Sequence, residues 1–458
     1  MKSKFFKGIG ILGVCLILGK ILGAFYRIPL TAILGSEGIG LYQTVFPLYT
    51  LLLTVSSGGV SVAVAKAVAS REESSEVVSV ALRFFAVVGG ALSLFMLLFS
   101  HSIAVFQGNA RAQTGYIAIA PSITFVSVVS VLRGYYQGKE NMLPSALSQL
   151  IEQAVKLALG LFLSRAFISF GEEWGAFGAV LGVSLSELVS MIALLTLYLK
   201  KNKNGGVRTL RFCEFSQEIT AFCKIKRNEN WQIISELLKT AVPVTLGSLT
   251  LPLIAVFDSV TIVNLLSSTV GIEEATKSYG VYTGAVNTLV NLPVVTLSAL
   301  STPLLPVVVK EGRKSGGVIL KTMLVSAFLG ICCSLFFFFF ASFPIRVLYR
   351  SLGEKSVEAI KLLKISGLSV FPLSIISVSS TALQGFNKAH IPAINLAVGG
   401  IVKSALSVLL MKSLGIYGAS VGAVACYFLT AILDAIALFR AIGKVKSEET
   451  SPKKQSAV

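Results

Sequence analysis

Gln137-Gly138, followed by Pro144 and Lys156-x-Ala158-Leu159, returns 247 residues later as Gln384-Gly385, Pro392 and Lys403-x-Ala405-Leu406. Gln to Lys spans 19 positions in both copies. A second shared cluster follows each copy. Gly175-Ala-Phe-Gly178-Ala-Val-Leu-Gly182 answers Gly415-Ile-Tyr-Gly418-Ala-Ser-Val-Gly422. The chain therefore reads as two related halves. In a hydrophobic protein, internal repeats are the usual build of a transporter whose site lies between the halves. Each copy also sets a lysine inside an apolar run.

Composition fixes the class. Of the 458 residues, 54% are hydrophobic and only 14% are charged, against roughly 25% charged in a soluble domain. Mean hydropathy is +0.80. The apolar runs are long enough to cross roughly 30 Å of hydrocarbon as helices, and the short alternating strands of a β-barrel are absent from the pattern. The reading is an all-α polytopic membrane protein. Twelve spans are expected, at roughly 7–33, 40–65, 77–100, 114–136, 142–168, 175–199, 236–266, 279–308, 317–344, 358–384, 388–412 and 416–440. They form two parallel six-helix lobes around a central cavity. The domain limits are 1–199 and 236–440 for the lobes, 200–235 for a basic linker and 441–458 for a polar tail.

The net charge of +18 does not point to nucleic acid, because the basic residues flank the apolar runs as the positive-inside rule requires. With both termini cytoplasmic, inner segments carry 27 basic residues and outer loops 10. The outer total includes Arg346, Arg350, Lys355, Lys361 and Lys364 in one loop, which an aqueous vestibule would accommodate. The linker mixes eight basic residues with Phe212, Phe215, Phe222 and Trp231. Two readings stand for it: an interfacial helix on anionic lipid, or a soluble basic connector. The expected location is the cell membrane, with an uncleaved first span because Lys20 and Arg27 interrupt its apolar run.

Six cysteines and two isolated histidines show no metal-ligand spacing, and no metal or cofactor is expected. Cys213 and Cys223 lie in the linker, which reads as reducing and without disulfides. There is no G-x-x-x-x-G-K-[ST], no H-E-x-x-H and no nucleophile elbow. The chain does not read as an enzyme. Without an ATP site, energy comes from a gradient or from the membrane potential.

Ionisable residues inside spans carry the functional signal, since each costs about 2.5–3.5 kcal/mol on insertion scales and faces a cavity or a partner. Lys20 and Arg27 are seven residues apart on the first span and share a face. Lys156 and Lys403 occupy the repeated position. Together Lys20, Arg27, Lys156 and Lys403 describe a cationic cavity suited to phosphate or diphosphate. Glu152 stands i,i+4 to Lys156 and offers a local pair. Glu152, Glu187 and Asp258 are candidates for ion coupling or for pairing in the cavity. Asp434, near the inner end of the last span, is expected against Arg440.

Gly19-Lys20-Ile-Leu-Gly23-Ala-Phe25-Tyr26-Arg27-Ile-Pro29, continuing into Leu34-Gly35-Ser36-Glu37-Gly38-Ile39-Gly40-Leu41-Tyr42-Gln43 and Ser57-Gly58-Gly59-Val60, resembles the opening of the stage V sporulation protein B and polysaccharide-exporter family. That family's superfamily also holds lipid II flippases and multidrug and toxin extrusion transporters. The resemblance implies a V-shaped pair of six-helix lobes, alternating access, and export of an undecaprenyl-diphosphate-linked peptidoglycan or polysaccharide precursor. It implies a role in cell-wall or spore-cortex synthesis, and envelope-synthesis proteins as candidate partners beside the lipid-linked glycan and membrane lipids. It also implies that first-helix cations line the cavity, with Lys20 and Arg27 in the matching motif and Lys where Arg is more usual. Many lipid II flippases have fourteen helices, the last two forming a groove for the lipid tail. Twelve are counted here, so either the tail uses a groove between the lobes or the cargo differs. Two alternatives stay open: a Na+/H+-coupled exporter of organic cations, and a non-transporting scaffold for envelope synthesis.

Overall fold

The computed structural model describes residues 2–71, 74–203 and 227–449; the side chains of residues 2–18, 20, 21, 24, 201–203, 227–229, 313 and 443–449 lie outside the description. The expectations placed on the Lys20 side chain, on most of the 200–235 linker with Cys213 and Cys223, and on the end of the tail therefore fall outside the described residues. Among the described residues every regular element is a helix, and eleven are long and apolar enough to cross a membrane. The protein is a multi-pass membrane protein.

The first of these segments, Phe25–Ala69, absorbs the end of the first expected span and the whole of the second. Within it Gly35 breaks the helix Lys2–Ser57 into two arms, with φ 67° and ψ −170°. Only glycine adopts that backbone without a Cβ penalty. The two helical arms on either side of Gly35 correspond to the first two spans of the sequence reading.

Packing divides the chain into two units, Met1–Gly280 and Val281–Val458. This division falls later than the linker at 200–235, because the helices after the linker pack inside the first unit. Gly59 lies against Ala241 and donates its N–H to Thr245 Oγ1 at 3.0 Å, and Gly40 lies against Thr276. Asn109 Nδ2 donates to Thr276 Oγ1 at 2.8 Å. Arg111 pairs with Glu37 and, at 3.3 Å, with Glu173, while Lys277 pairs with Glu37 at 3.8 Å and with Glu273.

Two apolar cores hold the first unit. One gathers Tyr26, Leu30, Ile39, Tyr42, Tyr116 and Ile123. The other gathers Val64, Val78, Leu132, Leu194 and Leu237. The second unit has a smaller core around Leu304, Val308, Val378, Leu383 and Leu438. Outside these cores large apolar side chains face outward, including Phe162, Phe328 and Phe339. On a soluble surface so much exposed apolar area would drive aggregation; against lipid it costs nothing.

The sequence repeat corresponds to one contact made twice. In the first unit the lysine helix Met142–Phe167 is followed by the glycine helix Glu172–Lys203. A Cβ at Gly182 would meet the Gly160 backbone at 2.4 Å, and one at Gly178 would meet Leu163 O at 2.5 Å. In the second unit the lysine helix His390–Leu414 is followed by the glycine helix Ile416–Glu449. There a Cβ at Gly418 would meet the Leu410 carbonyl carbon at 2.6 Å, and one at Gly422 would meet Ser407 Oγ at 2.6 Å. The 247-residue offset that relates Lys156 to Lys403 also relates Gly160 to Ser407 and Leu163 to Leu410. The repeated glycines let the two helices of each pair approach backbone to backbone, as small residues do between membrane helices.

Gly182→Val should therefore be destabilising by about 1–3 kcal/mol, the usual range for overpacking. Gly90→Ala, where a Cβ meets nothing within 4 Å, should be neutral or slightly stabilising. Thermal unfolding of the detergent-purified variants compares the two; a Gly182→Val protein as stable as the parent would remove the close approach as the reason for the repeated glycines.

Candidate functional site

In the first unit the lysine helix and its neighbours build a polar cluster in an apolar surround. Lys156 lies under two rings, with Nζ 5.6 Å from the Tyr26 centroid and 6.0 Å from that of Phe46. Desolvated contacts of this kind stabilise by about 2 kcal/mol. The charges of Arg27, Glu152 and Glu187 all reach Lys156. Arg27 is half-buried on the bent helix, and its carbonyl accepts from Thr31 Oγ1 at 2.8 Å.

Glu152 does not pair with its i,i+4 neighbour Lys156. It takes Arg133 of the preceding helix at 2.9 Å, and Gln153 Nε2 donates to its other oxygen at 3.1 Å. Arg133 is held by Ser148 Oγ at 3.0 Å and reaches Ser190 Oγ at 3.5 Å. The reason is geometric. The guanidinium offers several donors in a fixed fork and so serves a carboxylate and two hydroxyls together, which leaves the lysine to the aromatic faces. Glu187 is 7% exposed, and its Oε2 has no hydrogen-bond partner among the described residues. That atom is an open acceptor, chemically suited to a proton or a small cation.

The second unit presents its lysine to a cavity of about 100 Å³. Lys403 lines it with Tyr282, Asn287, Asn291, Ser366 and Tyr427. Two departures from α-helical geometry shape the walls. Tyr282 comes from the π-helical turn Val281–Val286, and Ser366 and Ser369 flank or belong to the tight turn Gly367–Ser369. Such interruptions within membrane-spanning helices occur where the backbone is buried in protein or lines a cavity.

The structure thus brings Arg27, Lys156, Glu152 and Glu187 together in the first unit and places Lys403 in the cavity of the second. Asp258 is half-buried on the helix Thr250–Val270 of the first unit. Asp434 is fully buried and accepts from Asn395 Nδ2 at 2.7 Å and Ser380 Oγ at 3.4 Å, instead of from the expected Arg440. The cluster also needs Arg133, which is not among the residues singled out in the sequence. Its position three residues inside the expected end at 136 was the available signal. Among the described residues no group of three metal-ligating side chains forms.

A family model described as polysaccharide biosynthesis protein matches residues 5–311. Over 450 residues the chain is 28% identical to stage V sporulation protein B of Bacillus subtilis (strain 168), covering 95% of this chain and 83% of that protein. Over 476 residues it is 24% identical to the lipid II flippase MurJ of the same organism, covering 97% and 84%. Among solved structures it is similar to an inward-facing multidrug resistance MATE family transporter of the MOP superfamily, with TM-score 0.70, 16% identity and coverage of 97% and 99%. It is also similar to the lipid II flippase MurJ in an inward closed conformation, with TM-score 0.67, 16% identity and coverage of 95% and 87%. The chain belongs to the polysaccharide biosynthesis protein family, and the structural likenesses establish a fold shared with these exporters.

The Arg133–Glu152 pair yields a direct test. Arg133→Met leaves Glu152 buried without its cation and should cost about 3–5 kcal/mol. Adding Glu152→Gln should recover more than half of that. Thermal unfolding in detergent measures both, and equal loss in the single and double variants would contradict the pairing.

Proposed function

We propose that this member of the polysaccharide biosynthesis protein family is a flippase. In this reading it moves an undecaprenyl-diphosphate-linked peptidoglycan or polysaccharide precursor from the inner to the outer leaflet by alternating access. Its two six-helix halves are 1–199 and 236–440, both termini are cytoplasmic, and the membrane is the cell membrane. The observation that carries the reading is the cation set of the spans: Lys20, Arg27, Lys156 and Lys403. Family membership and the likeness to a lipid II flippase support it. A carrier of organic cations would instead place acidic groups where the first span puts Lys20 and Arg27.

The physics favours outward movement. An inside-negative potential drives anions out with roughly 2.3 kcal/mol per charge per 100 mV. A headgroup with about two diphosphate charges would gain roughly 4–5 kcal/mol on the same principle. The protein's part is to shield that charge while it crosses, and the cations do so without chemistry on the substrate.

One observation favours the rival reading of a Na+/H+-coupled cation exporter. The open carboxylate oxygen of Glu187 is a ready acceptor for a coupling ion. Within the flippase reading the same oxygen would couple export to a proton or sodium gradient.

The two readings separate in proteoliposomes. Transbilayer movement of a fluorescent lipid II should be stimulated by an imposed potential and fall about tenfold or more in Lys20→Ala/Arg27→Ala, a loss of roughly 1.4 kcal/mol or more. Movement unaffected by the double substitution would contradict the cationic path. Transport of an organic cation with no movement of lipid II would replace the flippase reading with the exporter.

A further inference from the structure

The two repeated lysines have different company, and the repeat itself shows where the difference lies. The offset that relates Lys156 to Lys403 relates Glu152 to Gly399. The offset that relates Gly182 to Gly422 relates Glu187 to Tyr427. Both carboxylates around the first lysine are thus replaced around the second, one by a glycine and the other by a phenol that lines the cavity. The charges of Glu152 and Glu187, with that of Arg27, act on Lys156. An anion entering the second cavity meets a lining with one cation and otherwise neutral amides, hydroxyls and apolar groups.

We propose that the Lys403 cavity of the second unit is a binding pocket for a phosphoryl oxyanion. Its size fits, because about 100 Å³ exceeds several-fold the ~10–15 Å³ that one water requires on the same kind of measure. The donor set fits as well. A lysine ammonium serves as a point charge for phosphate, and Asn287, Asn291, Ser366 and Tyr427 supply amide and hydroxyl donors. The walls are set by packing. Ser366 Oγ is hydrogen-bonded to Ser420 Oγ, and Gly367 lies against Phe337 so closely that a Cβ would meet it at 2.5 Å. Lys403 is itself 8% exposed, so its charge acts where water screens little.

The proposal deepens the flippase reading and rests on it for one of two sources of the anion, the diphosphate of a lipid-linked glycan. The other source is soluble phosphate or diphosphate. The two lysines then divide the work: the first is embedded among carboxylates and rings, and the second meets the phosphoryl group.

Titration calorimetry with inorganic diphosphate on the full-length protein in lipid nanodiscs tests the pocket. Diphosphate should bind the parent and Lys412→Gln, which removes an exposed lysine of the same helix. Binding should weaken at least tenfold in Lys403→Gln and return to within about threefold in Lys403→Arg. Absence of binding to the parent, or equal binding by Lys403→Gln, overturns the pocket. Displacement of diphosphate by undecaprenyl diphosphate identifies the lipid headgroup as the source; diphosphate binding that survives it identifies a soluble anion, and either supports the pocket. Lipid II movement separates the two readings. If movement is intact and diphosphate binding ignores Lys403, the pocket falls and the flippase stands. If Lys403-dependent binding occurs without movement of lipid II or of any other undecaprenyl-diphosphate-linked glycan, the flippase falls and the pocket stands.

Discussion

A lysine inside an apolar helix pair has to be compensated locally, and much of this structure is arranged around doing that twice. The energetic demand is a few kcal/mol per buried charge, comparable with a large fraction of a protein's net stability. In the first unit the ammonium lies against aromatic faces, those of Tyr26 and Phe46. In the second the lysine lines a small polar cavity whose walls include two breaks in helical geometry. The glycine helix beside each lysine helix then closes the pair, since Gly178 and Gly182, and Gly418 and Gly422, allow backbone contact that larger residues would prevent.

What the sequence disclosed followed from how local each signal is. The lysine and glycine clusters were legible because the contact they make lies between two helices adjacent in the chain, so one repeat unit carries both partners. The all-helical membrane fold was legible in the apolar runs alone. The pairing of Glu152 was not, because Arg133 reaches it across from another helix, and nothing in the i,i+4 spacing of Glu152 and Lys156 indicates that a guanidinium would compete. The aromatic partners of Lys156 were hidden for the same reason: Tyr26 and Phe46 lie more than a hundred residues away. The break at Gly35 was legible as well, since it falls in the gap between the first two expected spans, at Gly35-Ser36-Glu37-Gly38.

The same repeat that establishes kinship between the halves also marks their divergence. Glu152 and Glu187, whose charges act on the first lysine, have glycine and tyrosine as their counterparts in the second half. A duplicated scaffold therefore holds two electrostatic environments. The first, with an open acceptor on Glu187, is suited to a proton or small cation. The second, with one ammonium among neutral donors, is suited to an oxyanion. On the proposed reading, the second environment would take the charge that is carried and the first the charge that drives it.

The most direct measurement is anomalous diffraction from crystals of the full-length protein soaked in tungstate, a heavy tetrahedral oxyanion. A peak beside Lys403 Nζ is the result this account predicts. A peak at Lys156 with the second cavity empty would contradict it.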